Sequence, residues 1–195
     1  MKRYLLFLVF AAALPFFLAA HRVLAVELPE RINQIGDVYT PKVLSDSPWY
    51  ILKEIRDQLK ILLATDPLRK AYFRLELANK KTLELQQLCE IGKCRYANSL
   101  LPAVLKSMER LTNETAKEKE RGKDVTEMVA KIEDSGLSQA AVLSRLFRIS
   151  PPEQKDVILK AKEDLVRVTE AFLRETAGFE RANSFLKEVA TLTAP

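Results

Sequence analysis

The chain has 195 residues, a formal charge of +5, 48% hydrophobic and 29% charged residues, one histidine and two cysteines. That length suits one domain with a real core. One histidine leaves little for histidine-based metal or acid–base chemistry, and the interleaved charge signs argue against a nucleic-acid face, which needs a clustered basic stripe.

Lys2 and Arg3 precede an apolar run from Tyr4 to Ala20, and Val23-Leu24-Ala25 supplies small residues after it. Residues 1–25 read as a signal peptide cut after Ala25. The alternative is an uncut anchor. A membrane span needs about 20 apolar residues, whereas this run contains Pro15 and is closed by His21-Arg22. Cleavage removes His21 and three of the 31 basic residues (Lys2, Arg3, Arg22), leaving 28 against 26 acids, a balance of +2. The expected location is outside the cytoplasmic membrane: periplasmic, cell-wall or extracellular. A membrane is a partner only if the leader is retained.

Residues 26–45 read as an extended linker punctuated by Pro29, Gly36 and Pro41. From 46 to 177 the chain reads as one helical domain, rich in Leu, Ala, Glu, Lys and Arg. Three starts pair a capping side chain with proline: Ser47 before Pro48, Asp66 before Pro67, and Ser150 before Pro151-Pro152-Glu153. Ser150 with Glu153, and Asp124 with Glu127, also have capping-box spacing. Asp46, beside Ser47, belongs to the first of these starts.

Five helices are expected. The first, Pro48 to Leu63, places Leu52, Ile55, Leu59 and Leu62 on one face. The second, Pro67 to about Leu88, carries Leu68, Ala71, Leu75, Ala78, Thr82 and Leu85. The third, from about Cys94 to Arg121, carries Leu101, Val104, Met108 and Leu111, with Pro102 in its early part. The fourth, Val125 to about Phe147, carries Val129, Ile132, Ala140 and Leu143. Gly136 either breaks it or admits a close partner, and a continuous helix is expected because the stripe resumes in phase. The fifth, Pro151 to about Thr176, carries Ile158, Ala161, Leu165, Val168 and Phe172. Gly178 then ends or kinks the helix, so that residues 178–195 form a tail or a short helix. Such three–four stripes are what antiparallel hairpins and coiled-coil-like bundles bury. The fold class is therefore all-α: elongated antiparallel helical hairpins in a bundle.

Cys89 and Cys94 flank Glu90-Ile91-Gly92-Lys93 between the second and third helices. A redox pair or metal clip is conceivable. An exported chain favours a structural disulfide stapling the turn, since the spacing is not C-x-x-C and two thiolates make a poor closed metal site. No cofactor or metal ligand set is expected. Without histidine, Ser-His-Asp and Cys-His arrangements are excluded from the mature chain. Ser184-Phe185-Leu186-Lys187 matches S-x-x-K only in its letters. Trp49, Tyr50, Tyr72 and Phe73 could line an apolar groove; packing between the first two helices is the expectation, because such rings dominate core energetics.

Asp46-Ser47-Pro48-Trp49-Tyr50 with Leu52-Lys53, then Thr65-Asp66-Pro67-Leu68-Arg69-Lys70-Ala71, Leu75-Glu76-Leu77-Ala78, Gly122-Lys123-Asp124-Val125, and Val142-Leu143 leading into Ser150-Pro151-Pro152-Glu153, together resemble a bacterial domain-of-unknown-function family, DUF5667, of exported and membrane-anchored proteins. The resemblance covers about Val43 to Ala177 and implies long helical hairpins outside the cytoplasm, without catalytic residues to carry over. This chain departs from the family pattern in three places. Ala64-Thr65 stands where an aromatic often precedes Asp-Pro, two cysteines occupy the turn after the second helix, and Gln139 lies near the place of a histidine often found in the fourth helix.

The expected role is that of a non-catalytic structural or interaction protein of the cell envelope, contacting an envelope protein or itself. The rival is a ligand-binding or chaperone-like module using an aromatic groove near Trp49.

Overall fold

The computed structural model describes residues 44–192, all within the compact unit Ile32–Pro195. The signal-peptide reading, and the linker reading up to residue 43, lie outside the described residues. The described residues form six α-helices and one 3-10 turn: α1 (Tyr50–Leu63), α2 (Pro67–Glu90), the 3-10 turn (Cys94–Tyr96), α3 (Ala97–Glu120), α4 (Thr126–Ile149), α5 (Pro152–Thr176) and α6 (Phe179–Leu192). The described residues contain no strand, and the fold is an all-α bundle.

α2 and α3 form one antiparallel hairpin, α4 and α5 a second. The hairpins stack so that α2 packs on α4 and α3 on α5, while α3 and α4 sit on a diagonal with little contact. Because the short α3–α4 connection crosses that diagonal, stacked helices run parallel. The segments leading into α2 and α4 meet through Asp66 and Lys123 (3.4 Å), and the ends of the two helices through Glu90 and Arg145 (3.4 Å). The ends of α3 and α5 meet where Lys119 Nζ donates to the Thr176 carbonyl at 2.5 Å. α2 to α5 each have 24 or 25 residues, about 36 Å at 1.5 Å per residue. They share one core, centred on Leu85, Leu88, Leu101, Met108, Leu111, Ile132, Leu143, Leu146, Ile158, Leu165 and Leu173, all under 2% exposed. The expected stripes of the second to fifth helices face this core, with Leu68 and Val168 partly buried at its margin.

α4 is continuous through Gly136. A Cβ built there would stand 2.8 Å from Thr169 Cγ2 and 3.3 Å from Phe185 Cε2. The glycine thus lets both α5 and α6 approach α4. α6 packs on α5 and α4, burying Ala182, Phe185 and Val189. Of the two forms allowed for the C-terminal segment, the short helix is adopted.

Helix starts differ from the sequence reading in detail. Asp66 accepts from the Arg69 N–H at 2.9 Å and Pro67 opens α2. Ser47, however, accepts from the Trp49 N–H (3.3 Å), a turn two residues long, and α1 begins at Tyr50 rather than Pro48. Asp124 accepts from the Thr126 N–H (2.9 Å), while Glu127 pairs with Lys131 (2.6 Å) instead of closing a capping box. At α5 the double proline shifts the start by one residue. Pro151 is extended (ψ 152°), as a residue before proline prefers, so Pro152 opens the helix and Ser150 stands outside the cap. The third helix begins as the 3-10 turn and becomes α-helical only at Ala97.

The largest correction concerns α1. Its leucine–isoleucine stripe was expected to be core. Instead Leu52 is 58% exposed, Ile55 51%, Leu59 39% and Leu62 74%, while Asp57 is 6% exposed. α1 packs on α2 through its largely polar side, on which Ile61 is the one buried aliphatic.

Candidate interaction surface

At about 100° per residue, Ile51, Leu62, Ile55, Leu59, Leu52 and Leu63 fall within roughly one third of the circumference of α1, uninterrupted by a polar residue. All six are exposed, Ile51 at 69% and Leu63 at 66%. Arg56 and Gln58 edge this face, and Trp49, 66% exposed, stands at its N-terminal end. Trp49 is therefore not core. Contiguous exposed apolar surface of this kind marks an interaction site more often than an accident of packing.

The inward side explains the orientation. Lys53 pairs with Glu84 at 2.7 Å, and both are nearly buried, at 9% and 0% side-chain exposure. Ser45 Oγ donates to the second oxygen of the same carboxylate. Three residues earlier on α2, Lys81 pairs with Glu54 at 2.5 Å. The Tyr50 ring lies between the two lysines, 5.0 Å from Lys53 Nζ and 5.8 Å from Lys81 Nζ. Burial opposes the charge on Lys81, but Glu54 and Tyr50 outweigh it and hold its pKa above the ordinary lysine value. Burial also raises the Tyr50 phenol. Asp57 accepts from Arg56 at 2.9 Å through one oxygen; the other is buried without a hydrogen-bond partner. Buried charge is tolerated only when paired. The carboxylate of Glu84 on α2 therefore dictates which side of α1 turns inward.

The motif residues serve this framework. Asp46 pairs with Lys93 at 2.6 Å, which lowers its pKa and ties the segment before α1 to the turn after α2. Cys89 and Cys94 form a disulfide with a Cα–Cα distance of 4.2 Å. Gly92 (φ 76°) takes the left-handed position at the end of α2, and the Lys93 N–H closes onto the Leu88 carbonyl at 2.7 Å. Ser150 Oγ lies 3.3 Å from Cys94 Sγ, so this serine joins the two hairpin turns rather than capping α5. At the opposite end, Lys123 lies 2.5 Å from Glu118 and 3.4 Å from Asp66. Its hydrogen bond, followed by that of Arg121, holds the Glu118 carboxyl below the usual range. Tyr72 and Phe73 are half-buried on α2 with ring centroids 6.1 Å apart, under Lys131 and Arg69 respectively. Trp49, Tyr50, Tyr72 and Phe73 therefore do not come together as one groove.

A second concave feature was not legible in sequence. A cleft of about 440 Å³ lies between α2, α4 and α6, lined by Asn79, Gln86, Asp134, Gln139, Arg145 and Glu188 among others. Gln139, 2% exposed, donates to Asn79 Oδ1 at 2.7 Å, and its own carbonyl oxygen is buried without a partner. Partial desolvation, with Glu133 and Glu188 nearby, raises the Asp134 carboxyl. Among the described residues no group of three or more His, Cys, Asp or Glu could hold a metal ion, and no helix is long and apolar enough to cross a membrane.

No curated protein and no solved structure matches the chain. The family described as Domain of unknown function (DUF5667) matches residues 42–142, just over half of the 195 residues. The match takes in α1, α2, α3 and most of α4. It stops before Ser150-Pro151-Pro152-Glu153, so the resemblance is shorter than the span to Ala177 expected from the motifs. The chain belongs to the DUF5667 family.

Proposed function

We propose that the protein is an exported, non-catalytic helical contact module of the cell envelope that engages its partner through the outward aliphatic face of α1. The observation carrying this reading is the inversion of α1. Its charged side is locked onto α2 by the Lys53–Glu84 and Lys81–Glu54 pairs, and six of its seven aliphatics face outward, Ile61 being buried. Export is supported by the leader pattern and by the paired cysteines, which suit an oxidising compartment. The test is a photocrosslinking residue at Leu59, compared with one at exposed Lys106 on α3, in cells that export the protein. Crosslinks at Leu59 alone are expected; equal yields at both positions would sink the reading.

A second reading, a ligand-binding module, is favoured by the cleft beneath Asp134 and by the unpartnered carbonyl of Gln139. It places the ligand away from Trp49, and a Gln139→Leu variant would lose binding while Leu59 variants kept it.

A further inference from the structure

We infer that the occupant of the α1 face is a second copy of this chain, its own α1 laid antiparallel across the first. The inference rests on the contact-module reading above and names its partner. The six outward aliphatics are symmetric about Asp57 in the sequence: Ile51 and Leu63, Leu52 and Leu62, Ile55 and Leu59 are each equidistant from it. Two antiparallel copies related by a twofold axis at that level therefore set Ile51 opposite Leu63, Leu52 opposite Leu62 and Ile55 opposite Leu59. An isologous interface needs this self-complementarity. The 52-55-59-62 spacing is also the three–four seam that one helix offers another.

The area is adequate. An exposed aliphatic side chain presents on the order of 100 Å², and an aromatic one about 200 Å². Scaled by the exposures of the six aliphatics and Trp49, the face offers roughly 500 Å² per copy, or about 1,000 Å² for the pair, the lower bound for a specific interface. Association in the micromolar range is expected. A lipid surface fits less well. Interfacial helices keep lysines and arginines free for anionic headgroups, whereas here Lys53 is turned inward onto Glu84, and Arg56, at the edge, is paired with Asp57.

The test uses the protein as purified from exporting cells, by sedimentation equilibrium from about 1 to 300 µM. A monomer–dimer equilibrium is expected, weakened at least about 100-fold in Ile55→Glu/Leu59→Glu. Circular dichroism should show unchanged helix content for this variant, because both side chains are exposed. Should it fold poorly, Ile51→Gln/Leu62→Gln is the second variant. Orientation is read from bismaleimide crosslinking. Leu52→Cys/Leu62→Cys should give covalent dimers and Leu52→Cys alone should not; dimers from Leu52→Cys alone would mean parallel pairing and overturn the inference. A monomer at every concentration also overturns it. If that monomer still crosslinks through Leu59 to a different protein, the contact-module reading survives. If it instead binds phosphatidylglycerol vesicles through the same face, the occupant is lipid and the inference fails. If neither variant changes any association, both readings fail.

Discussion

Lys53 on α1 and Glu84 on α2 form an ion pair at 2.7 Å in which the carboxylate is fully enclosed. An enclosed carboxylate without its cation is far costlier than an exposed leucine. The chain resolves that conflict by presenting lysine to α2 and aliphatics to the outside.

Removing one partner tests this directly. Glu84→Ala should destabilise the protein by about 3–5 kcal/mol, because it breaks a buried ion pair and removes the carboxylate that both Lys53 and Ser45 meet. The double variant Lys53→Met/Glu84→Leu should recover most of the loss, since paired apolar replacements restore packing without desolvated charge. Urea unfolding of the three proteins measures both; a neutral Glu84→Ala would mean that the pair does not seat α1.

Gly136→Ala should cost about 1–3 kcal/mol, the usual penalty of overpacking. The added methyl meets Thr169 at 2.8 Å and Phe185 at 3.3 Å, so it pushes α5 and α6 away from α4 together. Thermal melts should show the loss, and Thr169→Ser in the same background should relieve part of it by removing the methyl carbon that clashes.

The disulfide closes a short loop and should contribute about 2 kcal/mol. Cys89→Ser/Cys94→Ser is expected to remain folded and helical, with its unfolding free energy lowered by about that amount. Mass mapping without reductant should recover Cys89 and Cys94 in one linked peptide; free thiols in exported material would contradict the pairing.

Acid should weaken the end of the bundle where α3 turns into α4. Lys123, then Arg121, holds the Glu118 pKa below its ordinary value. Such a depressed group contributes stability that is fully present above the unfolded-state pKa, near 4.3, and lost as pH falls through the lower folded-state value. Asp66 and Asp124, lowered by the backbone N–H groups of Arg69 and Thr126, act in the same direction. Asp134, raised by desolvation and by Glu133 and Glu188, acts in the opposite sense: its contribution falls as pH rises through its titration. Denaturation midpoints of Glu118→Gln should vary less between pH 3 and 6 than those of the parent, while Asp134→Asn should gain stability relative to it at pH 7.

Trp49→Ala should change stability by no more than about 1 kcal/mol, because the exposed side chain makes no capping hydrogen bond at the start of α1. A loss of 3 kcal/mol or more, the value for a core tryptophan, would place that ring inside the fold.

Much of this bundle was legible in the residues. The stripes at Ala71–Leu85, Leu101–Leu111, Val129–Leu143 and Ile158–Phe172 identified buried faces because apolar residues at three–four spacing can only share one side of a helix. Asp66-Pro67 located a helix start because the cap and the proline act on the local backbone alone. The cysteine turn was legible for the same reason. The orientation of α1 was not. Its aliphatic stripe has the same spacing as the others, and what reverses it is a carboxylate 31 residues further on. Lys53, Asp57 and Lys60 repeat at the same interval on the other side and were the one local signal of a second face capable of packing. Gln139 joined a cleft only because α2, α4 and α6 converge there.

The amino-acid order by itself determined which segments are helical, where they turn and which faces are apolar, because these follow from backbone preference and periodicity within a few residues. Only the tertiary structure decided that α2 and α4 run parallel, that Gly136 is a point of close contact, and that the aliphatic side of α1 turns outward. Each of these depends on which distant side chain occupies the space opposite, and helical periodicity carries no information about that.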